Sequence, residues 1–318
     1  MDLPEDGLID AIRRVVSGTT DEVVVGPGDD AAVVTPGTGE LVLTTDALVE
    51  DVHFRRDAST PRDLGYKAVA VNLSDIAAMA ASPRFALCAL TIAPDVDAAW
   101  VIELAGGMRE CCDEFAVSLV GGNVARGRDV TIAVTLTGEV APGRAVRRNG
   151  ARPGELVVVT GAVGGAAAGL RLAAQRSWSD DERDALRRLA RPTPRVGEAA
   201  VLASDGGATA MIDVSDGLTL DLSRLCLASG VGARLDLSSI PRHPAAAEDE
   251  ALGGGEDYEL LATLPDDEAV VRARSRLHED FGVPLTRIGG IIDGEGLVAV
   301  GPGGDERPLA PSGWDHLR

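Results

Sequence analysis

Residues 26–46 read GPGDDAAVVTPGTGELVLTTD, and the parsing of this stretch decides the fold. Its first six residues satisfy the loose GxGxxA dinucleotide fingerprint, and the apolar EVVVG at 22–26 precedes them as a strand would. A dinucleotide fold needs a helix to open next. Instead, AAVVTPGTGELVL carries β-branched and apolar runs around Pro36–Gly37, which predicts strands at 31–34 and 40–46 joined by a turn. Asp29 and Asp30 would also meet a pyrophosphate with like charge. Both features argue against a Rossmann reading.

Outward from this stretch the chain alternates strand and helix. Helical periodicity is expected at 4–16, 62–81 and 97–115, the second with Leu64, Ala68, Val71, Leu73 and Ile76 as its buried stripe. Strands are expected at 85–93, 117–123 and 130–140. RRNGARPGELVVVTG at 147–161 is rich in turn residues and then starts a new strand, which suits a domain junction near 145–155. Helices follow at 165–175 and 180–190, and 210–229 reads strand, turn, helix. The expected class is α+β, two α/β domains at 1–148 and 149–318, in keeping with 318 residues.

Composition narrows the chemistry. Fifty acidic residues against 30 basic ones give a formal charge of −20, which argues against nucleic acid or an anionic membrane as partner. The acidic MDLPEDGLID start lacks a signal pattern, and no clean apolar stretch is long enough for a membrane span. Cys88, Cys111, Cys112 and Cys226 form no CxxC pair and are expected as reduced, mostly buried thiols in a cytoplasmic protein. Lys67 is the only lysine, within LGYKAVA, so neither a Walker A lysine nor a protein-kinase V-A-I-K lysine is present. GxSxG and HExxH are absent, and His53, His243, His278 and His316 show no ligand spacing.

What remains is a recurrence of aspartates beside apolar sequence. Asp29–Asp30 follow a strand, Asp46 closes ELVLTTD, Asp75 lies in VNLSD, and Asp213 and Asp216 lie in MIDVSDGL. A lone carboxylate in such surroundings is costly to desolvate, and with one lysine the compensating charge points to a hard, oxygen-liganded cation such as Mg²⁺. Capping of turns and helices is the competing role for each aspartate taken singly. GGNVARG (121–127), TGAVGGAAAG (160–169) and ALGGGEDYE (251–259) are candidate phosphate-cradling segments, or turns.

Eight motifs carry a family resemblance: GPGDDAAV, TTDALVEDVHF, YKAVAVNLSDIAAMAASP, VTLTGEV, RNGARPGE, AMIDVSDGLTLDL, GGEDYELL and GWDH. In this order, spanning residues 26 to 316, they resemble the thiamine-monophosphate kinases. GDDAAV, NLSDIAAM and DVSDGL alone would indicate only the wider aminoimidazole-ribonucleotide-synthetase-like superfamily. TTDALVEDVHF, GGEDYELL and GWDH narrow it to the thiamine branch. The resemblance implies an N-terminal domain for ATP, Mg²⁺ and dimerisation, whose strands form a barrel in a homodimer. It also implies a C-terminal domain that completes the metal and substrate site.

The implied reaction is transfer of the ATP γ-phosphate to thiamine monophosphate, assisted by several Mg²⁺ ions. By resemblance, Asp30, Thr44, Thr45, Asp46, Asp75, Asn123, Asp213 and Asp216 are the Mg²⁺ set. Gly121, Gly122, Arg148 and Ser215 contact ATP, while His53, Glu256, Asp257 and Trp314 line the thiamine monophosphate site. No covalent or general-base residue is implied, because the acceptor phosphate is already a nucleophile. Asn123 departs from the family's Gly-Gly-Asp and removes one negative charge. A superfamily paralogue acting on another small molecule, or a weakened nucleotide-binding protein, are the alternatives.

Overall fold

The computed structural model describes residues 5–16, 20–27, 31–301 and 303–314. Two compact units emerge: Met1–Ile76 with Ala81–Gly143, and Ala77–Ala80 with Arg144–Arg318.

The first unit runs α1 (Glu5–Val16), β1 (Val23–Val25), β2 (Val33–Val34), β3 (Glu40–Val49), α2 (Pro61–Ala78), β4 (Ser82–Ile92), α3 (Ala98–Glu114), β5 (Ser118–Arg126) and β6 (Thr131–Val140). β1 and β2 form a small ribbon, and no helix follows β2 before β3, as the exclusion of a dinucleotide fold requires. The main sheet has the order β3-β6-β4-β5, with only β4 and β5 parallel. β6 alternates strictly, burying Ile132, Val134 and Leu136 against the helices.

α2 starts where Thr60 accepts from the Asp63 N–H at 3.1 Å, with Pro61 at the first helical position. Its residues from Leu64 to Ser74 are buried almost continuously, Lys67 among them. Gly65 allows this: a Cβ there would lie 1.9 Å from the Leu104 carbonyl oxygen of α3. The sheet is open, with β3 and β5 as its edges, so the barrel implied by the resemblance is not closed among the described residues.

The second unit runs β7 (Leu156–Thr160), α4 (Gly165–Leu172), α5 (Asp180–Ala190), α6 (Val196–Ser204), β8 (Ala210–Asp213), α7 (Leu218–Ser229), β9 (Gly232–Asp236), α8 (Glu248–Gly253), β10 (Leu260–Leu264), α9 (Asp267–Phe281), β11 (Leu285–Ile292), β12 (Gly296–Val300) and β13 (Glu306–Leu309). Its seven strands are ordered β13-β12-β9-β11-β7-β10-β8.

β7 is buried on both faces, which is why LVVVT is an unbroken apolar run rather than an alternating one. Val157 and Val159 join one core with Leu218, Leu222 and Leu225 of α7. Leu156 and Val158 join the other with residues of α6 and α9. α5 is the exposed helix its charge pattern predicts, closed by a Ser179–Glu182 capping box and burying only Ala185.

Candidate functional site

In the first unit the strand alternation of β3 sorts the candidate residues. Thr44 and Asp46 project toward α2, whereas Thr45 projects from the opposite face. Thr44 Oγ1 donates to Asp75 Oδ2 of α2 at 2.5 Å, and the Asp46 N–H donates to buried Asn72 Oδ1 at 3.0 Å. Asn72 is itself fixed by donating Nδ2 to the Ala68 carbonyl at 2.9 Å. β3 continues three residues past the expected end, because Ala47–Val49 still pair with Thr131–Ala133. Asp46 is therefore a mid-strand residue and not a strand terminus.

His53 lies in the turn after β3, where Asp51 takes a left-handed φ of 62°. Its Nδ1 accepts from the Val49 N–H at 3.1 Å, which assigns the neutral ring's proton to Nε2. Asp30 lies outside the described residues.

Asn123 is not brought to this carboxylate pair. It sits on edge strand β5 in a transverse row with Ala89, Ala133 and Ala47, on the face opposite to Asp46. β5 is also three strand spacings from β3, roughly 14 Å at ~4.8 Å per strand. Within one chain, Asn123 and Thr45 thus cannot aim their side chains at the cation that Asp46 and Asp75 would hold.

Gly121, Gly122 and Asn123 do line one cavity of about 1050 Å³, together with Ile9, Ile12 and Leu104. Gly122 is dictated by close strand approach, since a Cβ there would lie 1.9 Å from the Cys88 carbonyl oxygen.

In the second unit three of the quoted motifs converge on the loop after β8. The Val214 N–H donates to the Glu259 carbonyl, and the Tyr258 N–H to the Val214 carbonyl, both at 2.8 Å. The Glu256 N–H donates to the Ser215 carbonyl at 2.7 Å, and the Trp314 N–H to the Asp216 carbonyl at 2.9 Å. DVSDG, GGEDYE and the GW of the C-terminus are therefore stitched together by main chain, although about 100 residues of sequence separate the first from the last. The Trp314 side chain is exposed, as is that of Arg148, whose carbonyl accepts from Ser229 Oγ at 3.0 Å. Asp213 is buried at the end of β8, while Ser215 and Asp216 are half-buried.

One of the glycine-rich segments is not an empty phosphate cradle. TGAVGG leads into α4, but the amides there already hold a carboxyl group of the protein's own. The Gly164 and Ala166 N–H groups donate to Asp257 at 2.5 and 3.2 Å. Asp257 thus serves as an internal cap rather than presenting its carboxylate outward. Burial pushes its carboxyl up to about 7, against the lowering effect of those two N–H groups. Its neighbours Glu256 and Tyr258 both have left-handed φ, 67° and 52°, so the turn around it is strained.

Fully buried Glu259 anchors this turn. It takes a bidentate pair from Arg195, Nε to Oε2 at 2.7 Å and Nη2 to Oε1 at 2.6 Å, and a hydrogen bond from Thr160 Oγ1 at 2.7 Å. Sequence reading assigned no role to Glu259, Arg195, Asn72 or Asp221. Asn72, Asp221 and Glu259 stand inside the quoted motifs, so their position was visible but their partners were not. Arg195, 64 residues from Glu259, left no sequence signal.

Among the described residues no group of three or more His, Cys, Asp or Glu side chains is arranged to hold a metal unaided. The oxygen-only donors, one or two carboxylates at a time, suit a hard cation that shares its coordination with substrate phosphates and water. Burial pushes the Cys88 and Cys112 thiols up to about 12 and Cys226 to about 11, so none is poised as a nucleophile. No helix among the described residues is long and apolar enough to cross a membrane.

Comparison with known proteins adds the following. Residues 28–140 match the N-terminal domain of AIR synthase related proteins, and residues 152–301 match their C-terminal domain. The thiamine-monophosphate kinase of Escherichia coli (strain K12) is 40% identical over 317 residues, covering 96% of this chain and 95% of that protein. The crystal structure of thiamine-monophosphate kinase from Stenotrophomonas maltophilia K279a is 38% identical. It superposes with a TM-score of 0.83 over 94% of this chain and 97% of that one. AaThiL complexed with AMPPCP and TMP is 32% identical, with a TM-score of 0.78 over 99% of each chain.

Proposed function

The chain belongs to the thiamine-monophosphate kinase family, and from that membership we propose that it transfers the γ-phosphoryl group of ATP to thiamine monophosphate, releasing thiamine diphosphate and ADP. The observation that carries this reading is the near full-length likeness to a relative complexed with both AMPPCP, an ATP analogue, and TMP. The internal stitching of DVSDG, GGEDYE and GW supports it, because two of the three motifs that narrow the resemblance meet at the DVSDG loop.

The acceptor is itself a phosphate, so its oxygen needs no strong base, and direct in-line transfer requires mainly alignment and charge neutralisation. Mg²⁺, if held by the carboxylates named next, would supply positive charge against the charge that builds up during transfer. In this reading Asp46 and Asp75 hold cation in the first unit and Asp213 and Asp216 in the second. Asp30 and the Thr44–Asp75 hydrogen bond belong to the same set. Gly121 and Gly122, lining the large cavity of the first unit, leave room for the nucleotide, with Arg148 and Ser215 as further ATP contacts. His53 and Glu256 face thiamine monophosphate, and Trp314 stacks on its cationic heterocycles. Asp257 shapes the site through α4 and the strained turn.

A homodimer is part of the proposal. The open face of the four-stranded sheet exposes Leu41, Leu43 and Leu87, at 62%, 64% and 44%, and a second copy laid across it would complete a barrel. A cytoplasmic setting is supported by the four free thiols.

The test is direct. Purified protein incubated with ATP, Mg²⁺ and thiamine monophosphate yields thiamine diphosphate and ADP in equal amounts. ADP without thiamine diphosphate, or turnover only with another acceptor, refutes the reading in favour of a paralogue or a silent binding protein.

A further inference from the structure

The loop at 213–217 carries three proposed site residues, yet what fixes its shape lies inside the helix that follows. Gly217 occupies the N-cap of α7 with φ 132° and offers no side chain to cap the helix. Asp221, in the first turn of α7 and with no exposed surface, does the capping from within. Its Oδ2 accepts three consecutive backbone N–H groups: Ser215 at 3.2 Å, Asp216 at 2.9 Å and Gly217 at 3.0 Å. A single oxygen thereby orients three successive peptide planes.

The other oxygen is tied to function by a second link. Arg224 Nη1 lies 2.6 Å from Asp221 Oδ1 and also 2.6 Å from Asp216 Oδ2. A cap serving stability alone would need no such bridge. Here the guanidinium offsets two neighbouring carboxylates and holds the Asp216 side chain in one orientation. Asp221 fixes the main chain of the loop, and Arg224 fixes the side chain at its tip.

We propose that Asp221 and Arg224 are positioning residues for phosphoryl transfer: Asp221 sets the backbone of the 213–217 loop and Arg224 aims the Asp216 carboxylate. This rests on the proposed role of Asp216. The structural requirement is strict, since a displacement of about 1 Å at a reacting centre can cost on the order of 100-fold in rate.

The experiment compares full-length Asp221→Ala, Asp221→Asn and Arg224→Gln, with Ser223→Ala and Asp216→Asn as controls. Among the described residues Ser223 Oγ bonds only to the Leu220 carbonyl of the same helix, so its removal leaves the loop untouched and activity at the wild-type level. The measurements are hydrogen exchange of the 215–217 amides, AMPPCP affinity by calorimetry, and kcat and KM for both substrates.

Asp221→Ala is expected to speed exchange at those three amides at least tenfold, leave β7 and β10 protected, and lower kcat about 100-fold. Asp221→Asn keeps an oxygen acceptor and should recover about a tenth of wild-type kcat with the amides largely protected. Arg224→Gln should leave the amides protected while lowering kcat about tenfold. If all three variants merely unfold at lower temperature, with kcat per folded molecule and AMPPCP affinity unchanged, the inference is overturned. A fully active Asp216→Asn would remove the site reading beneath it. An inactive Asp216→Asn beside a fully active Asp221→Ala would overturn this inference alone.

Discussion

Replacing Asp257 by Asn should change how stability depends on pH, and the structure gives the sign. The wild-type carboxyl is buried against α4, receives the Gly164 and Ala166 N–H groups, and has Glu259 and Arg188 as its charged neighbours. Burial raises its pKa from 3.8 to about 7. Below about pH 4 it is protonated in both folded and unfolded chains, and burial carries no ionisation penalty. Between about pH 4 and 7 only the unfolded chain releases the proton, so folding stability falls as pH rises. Above about pH 7 both states are ionised and the loss is complete.

A shift of roughly 3 units corresponds to about 4 kcal/mol at ~1.4 kcal/mol per unit. Asparagine cannot ionise, so the variant lacks this slope, whatever constant offset the altered hydrogen bonds introduce. Urea unfolding of both proteins from pH 4 to 8 measures it. The difference between them should move by up to about 4 kcal/mol in favour of Asp257→Asn across that range. A difference that stays constant with pH would refute the assignment of the buried, high-pKa carboxyl to Asp257.

Three further perturbations test other parts of the structure. Gly122→Ala puts a Cβ 1.9 Å from the Cys88 carbonyl oxygen, so β4 and β5 must separate locally. A loss of about 2–3 kcal/mol should appear in thermal unfolding. Arg195→Met strips the bidentate partner from fully buried Glu259 and should cost about 3–5 kcal/mol by denaturant titration, more than Glu259→Gln, which removes the charge as well. Asn123→Asp places a carboxylate on the far edge and opposite face from Asp46, so its Mg²⁺ titration should coincide with that of the wild type, while a lowered Mg²⁺ requirement would show that this position reaches the cation after all.

Some of this was decided by local sequence. The strand–turn–strand reading of residues 26–46 and the amphipathic α5 with its Ser179–Glu182 box both depend on periodicity and turn chemistry between near neighbours. The acidic motifs were equally legible, because carboxylates beside apolar runs are rare enough to stand out. What sequence could not supply was the pairing of distant segments. Hydrogen-bond register put Asn123 on the far edge and opposite face from Asp46, although both close expected strands and the resemblance assigns both to one Mg²⁺ set. The amides of TGAVGG turned out to be occupied by Asp257, 93 residues away from Gly164, and Asp221 rather than any N-cap residue shapes the DVSDG loop. The sequence by itself determined which residues have the chemistry for phosphoryl transfer. Only the tertiary structure decided which of them hold the site's shape, because a buried carboxylate takes its role from the donors that packing brings to it.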